Sequence, residues 1–157
     1  MKIKLIYTGK TGKSFLTEGE KEYINRLKHY VKLEIIELPD IKNANKLSEK
    51  EIKSKEADQL LKKLDKSEQL ILLDDKGKQY ASMEFSKFFQ NKMNSGVKTI
   101  CFLIGGPYGF DNQIYALPHS KLSLSKMTFS HQMIRMLFLE QVYRAYTIIK
   151  GEPYHHE

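Results

Sequence analysis

Hydrophobic residues occur along this chain in two spacings, and the two spacings alternate. Short apolar runs that are typical of buried strands cover residues 2–7, 33–38, 69–73, 99–104 and 121–124. Elsewhere apolar positions recur three and four residues apart, which predicts helices over residues 18–31, 48–64, 82–94, 111–117 and 131–150. Strands that alternate with helices predict an α/β fold, with a mostly parallel sheet flanked by helices on both faces. No repeat or linker divides the chain, so we expect residues 1–157 to form a single domain.

The last predicted helix differs from the others because apolar side chains surround it almost completely. A helix that is apolar on all sides must be covered on all sides. We therefore expect a homodimer, with Phe138 or Leu139 on the face that meets the second subunit. The alternative is a helix that is sandwiched inside one chain.

Composition narrows the class of protein. The chain of 157 residues is 41% hydrophobic and 29% charged, which is ordinary for a globular protein. Met1 leads directly into a strand pattern, and no apolar run approaches the roughly 20 residues of a membrane span. We expect a cytoplasmic protein with no signal peptide and no contact with a membrane. The net charge of +7 points to an anionic partner, with nucleic acid the first candidate.

Neither a disulfide nor a metal site is expected. The single cysteine, Cys101, lies inside a predicted buried strand, so a role in the core is favoured. His119, His155 and His156 show no metal-ligand spacing with an acidic or cysteine partner.

A basic turn, GKTGKS, follows the first strand at residues 9–14. It resembles a phosphate-binding loop, and Asp74 after a later strand resembles the aspartate that holds Mg²⁺ in nucleotide hydrolases. However, the motif G-x-x-x-x-G-K-[ST] requires a glycine where this chain has Tyr7. We therefore favour a basic turn near a substrate phosphate, and a nucleotide hydrolase remains an alternative.

The sequence GGPYG, at residues 105–109, follows the fourth strand. Two adjacent glycines permit close approach of a ligand to the backbone, although Gly-Gly-Pro is also an ordinary turn sequence. Loops at the carboxyl ends of strands bind ligands in open α/β sheets, which makes this loop a candidate binding site.

Charged or titratable side chains interrupt the apolar final helix at His131, Arg135, Glu140 and Arg144. Such groups require partners when they are buried. They could line one edge of the helix as active-site groups. Glu140 and Arg144 are four residues apart, so an ordinary salt bridge between them is equally open.

Four stretches in this order make the sequence recognisable: LIGGPYG at 103–109, LSLSKMTFSHQMIR at 122–135, EQVYRA at 140–145 and PYH at 153–155. The chain resembles the RlmH family, small methyltransferases of the SPOUT class that methylate N3 of a pseudouridine in 23S ribosomal RNA. The similarity covers essentially the whole chain. It implies a trefoil knot in the C-terminal half, a homodimer, and S-adenosyl-L-methionine held in the knot. The cofactor contacts that it implies are Leu73, Gly105, Leu124, Ser125, Lys126, Met127, Thr128 and Phe129.

Two positions depart from the family's pattern. Ser130 replaces the usual proline, which we expect to be harmless because serine caps helices well. His156 replaces a lysine or arginine, so the tail lacks a fixed positive charge at that position.

Methylation of N3 requires loss of an imide proton and stabilisation of negative charge on the flanking carbonyl groups. Arg135, Arg144 and His155 are candidates for stabilising that charge, and His131 or Glu140 could take the proton. The resemblance implies that the tail, residues 151–157, contributes to the active site, and we therefore expect it to fold over the cofactor pocket of the partner subunit. Tyr154 would then pack on the substrate base.

Lysines of the first half, including Lys10 and Lys13, could hold the RNA backbone. We expect the RNA to be recognised within the ribosome, although free RNA remains open. The competing interpretation is a non-catalytic RNA-binding protein, in which the glycine loop is only structural.

Overall fold

Five strands form one sheet in the computed structural model, which describes residues 1–156. The strands are β1 (Lys2–Thr8), β2 (Lys32–Leu38), β3 (Gln69–Lys78), β4 (Thr99–Ile104) and β5 (Ser120–Leu122). They lie in the order β2-β1-β4-β3-β5, and every neighbouring pair is parallel. The predicted α/β fold is therefore confirmed. Because the strands are parallel, the loops after β1, β3, β4 and β5 all emerge at one edge of the sheet.

Helices cover both faces of the sheet, as the alternation of apolar runs predicts. The helices are α1 (Ser14–Leu27), α2 (Glu49–Leu61), α3 (Ser82–Asn94), α4 (Asn112–Tyr115) and α5 (Met133–Lys150), with a 3-10 turn at Ala44–Lys46. On β1, Ile3, Leu5 and Tyr7 pack in the core beneath α1, α3 and α5. Ile6 belongs to a second core, beneath α2 and α4. This division follows from the two-residue period of a strand.

Most predicted boundaries agree with the structure to within three residues, and two elements differ by more. Helix α1 begins at Ser14 rather than at residue 18 and ends at Leu27. Strand β3 continues beyond Leu73 to Lys78, with a shift in its pairing to β5 between these two residues. Gly77 makes the continuation possible, because a Cβ there would lie 2.5 Å from the backbone of Leu122.

Helix α5 packs against α1 and α3 within the same chain. Phe138 and Leu139 are 0% and 1% exposed, so they belong to the core of one chain. The prediction that these two side chains face a second subunit is therefore wrong. The half-buried side of α5 instead carries Met133, Leu137, Glu140, Gln141, Arg144 and Ile148.

No helix within residues 1–156 is long and apolar enough to span a membrane. The same residues contain no group of three His, Cys, Asp or Glu side chains that could hold a metal ion. Glu157, the last residue of the predicted tail and domain, lies outside the described residues.

Candidate active site

A pocket of about 450 Å³ opens at the carboxyl ends of β3, β4 and β5. Its wall combines the end of β3, the glycine loop after β4, the loop after β5 and the start of α5. All the predicted cofactor positions except Lys126 line this pocket. These lining positions are Leu73, Gly105, Leu124, Ser125, Met127, Thr128 and Phe129.

A backbone hydrogen bond within the glycine loop after β4 stabilises the conformation of that loop. The N–H of Gly109 donates to the carbonyl of Gly106 at 3.0 Å, and Gly109 has a φ of 76°, which favours glycine. A Cβ on Gly105 would lie 3.2 Å from the carbonyl carbon of Gly109. A Cβ on Gly106 would lie 2.4 Å from Oε1 of Glu56 on α2. A Cβ at either position would therefore crowd neighbouring atoms of the protein, and without one the backbone of both glycines is accessible on the pocket wall.

The carboxylate of Glu56 is 7% exposed and packs behind the glycine loop. Burial raises the pKa of Glu56 to about 7, and the nearby negative charge of Asp40 adds to the increase. This side chain therefore titrates close to neutral pH. The sequence places Glu56 on an amphipathic helix with no sign that it would be buried, and sequence reasoning missed it.

The loop after β5 is ordered by serine side chains. Ser123 donates from Oγ to the carbonyl of Ser125 at 2.8 Å, and Oγ of Ser125 accepts from the N–H of Met127 at 2.9 Å. Oγ of Ser130 accepts from the N–H of Met133, the first residue of α5, at 3.1 Å, whereas the N-cap position itself is occupied by Gln132. Met127 is 77% exposed and Phe129 is 38% exposed, so the rim of the pocket is apolar.

His131 and Ile134, at the start of α5, complete the wall of the pocket. Burial lowers the pKa of His131, and the positive charge of Arg135 lowers it further. The imidazole is therefore neutral at pH 7 and can accept a proton from a group in the pocket. Among the predicted catalytic residues, His131 alone lines this pocket in the described part of the chain.

Arg135 points away from the pocket, towards the loop between β1 and α1. Its side chain is 1% exposed and donates to the carbonyls of Thr8 at 2.7 Å and Gly9 at 2.9 Å, and to Oγ1 of Thr11 at 3.1 Å. The guanidinium also lies 4.0 Å from the ring centre of Tyr7. Arg135 thus joins the first turn of α5 to the end of β1, and the structure gives it no contact with the pocket.

The same loop carries the basic GKTGKS turn. The N–H of Gly12 donates to Oε1 of Gln132 at 2.9 Å, and the hydroxyl of Thr11 donates to Glu20 at 2.8 Å. In a phosphate-binding loop the backbone N–H groups face the ligand. Here the side chain of Gln132, directly before α5, already accepts from one of them, which argues against a nucleotide-hydrolase site.

Four predicted catalytic residues form a cluster further along α5. The guanidinium of Arg144 donates to Oε1 of Glu140 at 2.6 Å, and Tyr154 donates to the same oxygen at 3.2 Å. Nη1 of Arg144 lies 3.4 Å from Nδ1 of His155, and its guanidinium lies 4.8 Å from the ring centre of Tyr154. The tail therefore folds back on α5 of its own chain, and none of these four residues is in the pocket wall.

A second cavity, of about 420 Å³, adjoins the first and shares Asp74, Asp75 and Tyr115 with it. The hydroxyl of Tyr115 donates to Oδ2 of Asp74 at 2.7 Å, and Lys121 lies 3.5 Å from the same oxygen. Burial alone would raise the pKa of Asp74, but these contacts and the N–H of Lys76 outweigh it and lower the pKa. Sequence reasoning considered Asp74 only as a metal ligand and missed Tyr115, which lies on a short helix with no distinctive motif.

Comparison with known proteins agrees with the resemblance. The family model described as a predicted SPOUT methyltransferase matches residues 1–155. The chain is 52% identical over 157 residues to the ribosomal RNA large subunit methyltransferase H of Parabacteroides distasonis, and 52% identical to that of Flavobacterium johnsoniae. It is 43% identical to the protein of the same name from Bacteroides thetaiotaomicron. In each of these comparisons the match covers 100% of both chains.

Proposed function

The chain belongs to the family of SPOUT methyltransferases, and from that premise we propose that it methylates N3 of a pseudouridine in 23S ribosomal RNA. The methyl donor is S-adenosyl-L-methionine. The observation that carries the proposal is the pocket at the carboxyl ends of β3, β4 and β5, whose wall is built from the segments that the family resemblance assigns to the cofactor. A protein that only binds RNA has no need for such a pocket.

The pocket fits this cofactor in size and chemistry. Its volume of about 450 Å³ lies in the range of pockets that enclose small organic ligands, about 300–1,000 Å³. Leu73 and Leu124 supply apolar walls for an adenine ring, and the backbone near Gly105 can approach a ligand closely. When bound, S-adenosyl-L-methionine supplies an electrophilic methyl group.

The chain's own residues would prepare N3 for attack. His131 lines the pocket and is neutral at pH 7, so it is the best-placed acceptor for the imide proton. Arg144 and His155 would stabilise the negative charge on the flanking carbonyl groups, and Tyr154 would pack on the base. Glu140 holds Arg144 through two hydrogen bonds and therefore acts as its anchor. Arg135 positions the loop after β1 instead of touching the substrate.

A homodimer would bring these groups together. The half-buried side of α5 carries Met133, Leu137 and Ile148 beside Glu140 and Arg144. A second copy that covers this side would place the cluster of one subunit near the pocket of the other. The proposed active site is thus shared between subunits, with the tail of one chain over the cofactor of its partner.

Several finer points belong to the same proposal. The C-terminal half forms a trefoil knot, residues 1–157 form one domain, and the protein acts in the cytoplasm. The net charge of +7 suits an RNA substrate within the ribosome. Lys10 and Lys13 are exposed on the loop after β1, at the same edge of the sheet as the pocket, where they can contact phosphates.

Calorimetry tests the cofactor separately from the RNA. We expect S-adenosyl-L-methionine to bind with a micromolar dissociation constant and ATP to give no heat of binding. Binding of ATP alone would support the nucleotide hydrolase. If neither ligand binds, a non-catalytic RNA-binding protein is the better interpretation.

A further inference from the structure

The C-terminal tail is attached to the rest of the chain at a point that the proposed chemistry does not use. Gly151 ends α5 with a φ of 68°, and the N–H of Glu152 donates to the carbonyl of Thr147 at 3.0 Å. This turn brings Glu152 to the segment that follows α1. There the hydroxyl of Tyr30 donates a hydrogen bond to the carboxylate of Glu152.

A row of aromatic rings continues from Tyr30 to the tail. Tyr143 of α5 is 9% exposed and lies between two other tyrosines. Its ring centre is 5.5 Å from that of Tyr30 and 4.7 Å from that of Tyr154, and both contacts are edge-on, with interplanar angles of 83° and 70°. Edge-on contacts between aromatic rings are favourable beyond the area that they bury. Tyr30 therefore reaches Tyr154 through Tyr143 as well as through Glu152.

These two connections hold the tail on both sides of Pro153. The ring of Pro153 fixes its own φ, so a short segment with Glu152 and Tyr154 both held has little remaining freedom. Tyr154 then lies under the guanidinium of Arg144, and His155 lies 3.4 Å from the same group. The orientation of the proposed active-site tail thus depends on a residue that touches neither the pocket nor the cluster around Arg144.

We propose that Tyr30 is a positioning residue for the tail and acts through Glu152 and Tyr143 on Tyr154 and His155. This deepens the proposed function and rests on it in one respect, namely that the tail takes part in methyl transfer. The positioning itself is a property of the folded chain and can be measured without substrate.

Two single substitutions test the contact. Tyr30→Phe removes the hydroxyl and keeps the ring, and Glu152→Ala removes the acceptor. The backbone N–H groups of Gly151, Glu152 and Tyr154 each donate to a backbone carbonyl. We expect their hydrogen exchange to accelerate about 3- to 10-fold in either variant, the range expected for one lost hydrogen bond. Exchange in the middle of α5 should not change. The control is Tyr80→Phe, a half-buried tyrosine whose ring packs on Phe85 and Phe88.

The double variant, with Tyr30→Phe and Glu152→Ala, tests whether the two side chains act through one contact. Because Tyr30 and Glu152 share a hydrogen bond, tail exchange in the double variant should be no faster than in the faster single variant. Additive effects, or tail exchange that stays at the wild-type rate in both single variants, would overturn the proposal.

Kinetic measurements then distinguish a role of Tyr30 in positioning the tail from a role in stabilising the fold. We expect Tyr30→Phe to lower kcat for methyl transfer while KM for the cofactor keeps its wild-type value and the circular-dichroism spectrum remains that of the folded protein. Deletion of residues 153–157 separates this proposal from the proposed function. If the deletion leaves transfer at the wild-type rate, the proposed role of the tail fails, and the exchange data still decide whether Tyr30 holds it. If the deletion abolishes transfer while Tyr30→Phe alters neither exchange nor kcat, the positioning role is wrong.

Discussion

Arg135 donates a hydrogen bond to the backbone carbonyl of Thr8, with 2.7 Å between Nη2 and the carbonyl oxygen. The bond links the first turn of α5 to the last residue of β1, across 127 positions of sequence. It explains why a charged residue occurs in an apolar helix, because the guanidinium satisfies carbonyl groups that would otherwise be buried without partners. The loop with Lys10 and Lys13 begins directly after this contact.

We expect Arg135→Met to lower the free energy of unfolding by about 2–4 kcal/mol, since it leaves the carbonyls of Thr8 and Gly9 buried and unpaired. Chemical denaturation measures the change. Arg26→Met is the matched control, because Arg26 is exposed and pairs with Glu22 and nearby rings at the surface, so its loss should cost less than about 1 kcal/mol. Equal losses in the two variants would show that the contacts of Arg135 are unimportant.

Gly106→Ala tests the packing of the glycine loop. The new methyl group would lie 2.4 Å from Oε1 of Glu56, so either the loop or the carboxylate must move. We expect a loss of about 1–3 kcal/mol in stability and a weaker affinity for the cofactor. Adding Glu56→Ala to this variant should restore both, because it removes the obstructing oxygen. Gly12→Ala is the control for a glycine-to-alanine change at a position with room for the methyl group, since a Cβ there would lie 3.8 Å from its nearest neighbour. If Glu56→Ala fails to restore cofactor binding, contact between the new methyl group and Glu56 is not the cause of the loss.

Glu56 should also make stability depend on pH. Burial raises its pKa in the folded protein to about 7, above the ordinary value of 4.5, so the folded state holds this proton more tightly than the unfolded state. The resulting stabilisation is complete below pH 4.5 and is lost as the pH rises through 7. Relative to Glu56→Gln, the wild type should therefore lose up to about 3 kcal/mol between pH 5 and pH 8. Parallel pH profiles of unfolding free energy for the two proteins would contradict this.

Two substitutions on α5 distinguish the proposed dimer contact from contacts that stabilise the fold of one chain. Leu137 is half-buried on the outer side of α5, whereas Phe138 is 0% exposed. We expect Leu137→Glu to halve the mass measured by light scattering and to leave the circular-dichroism spectrum folded. Phe138→Asp should unfold the chain, because it buries a charge in the core. A Leu137→Glu protein that remains a dimer would exclude this side of α5 as the interface.

Hydrophobic spacing was enough to predict the order of elements and the parallel sheet. The apolar runs at 99–104 and the helix at 82–94 were predicted with the bounds that the structure has. Strand β3 was predicted too short, because its continuation depends on the approach of Gly77 to Leu122, a contact between distant segments. Sequence spacing does not encode such a contact.

The candidate site, too, could be predicted from the sequence only in part. Motif resemblance named the segments that form the pocket, and the structure brings them together. The motifs could not show that Arg135 points to β1. The rotation of α5 about its own axis decides whether a given position faces the pocket or the core, and that rotation is set by packing against other elements. Glu56 was missed because an acidic residue on an amphipathic helix is expected on the exposed face, whereas the structure buries it.

Methyl transfer to ribosomal RNA is the most direct test of the proposed function. Large ribosomal subunits that lack the modification would be incubated with the protein and S-adenosyl-L-methionine carrying a labelled methyl group, and the digested 23S RNA analysed by mass spectrometry. We expect labelled methyl on N3 of a pseudouridine, and a rate lowered by orders of magnitude when residues 153–157 are deleted. RNA that binds the protein tightly and gains no methyl group would contradict the proposed function.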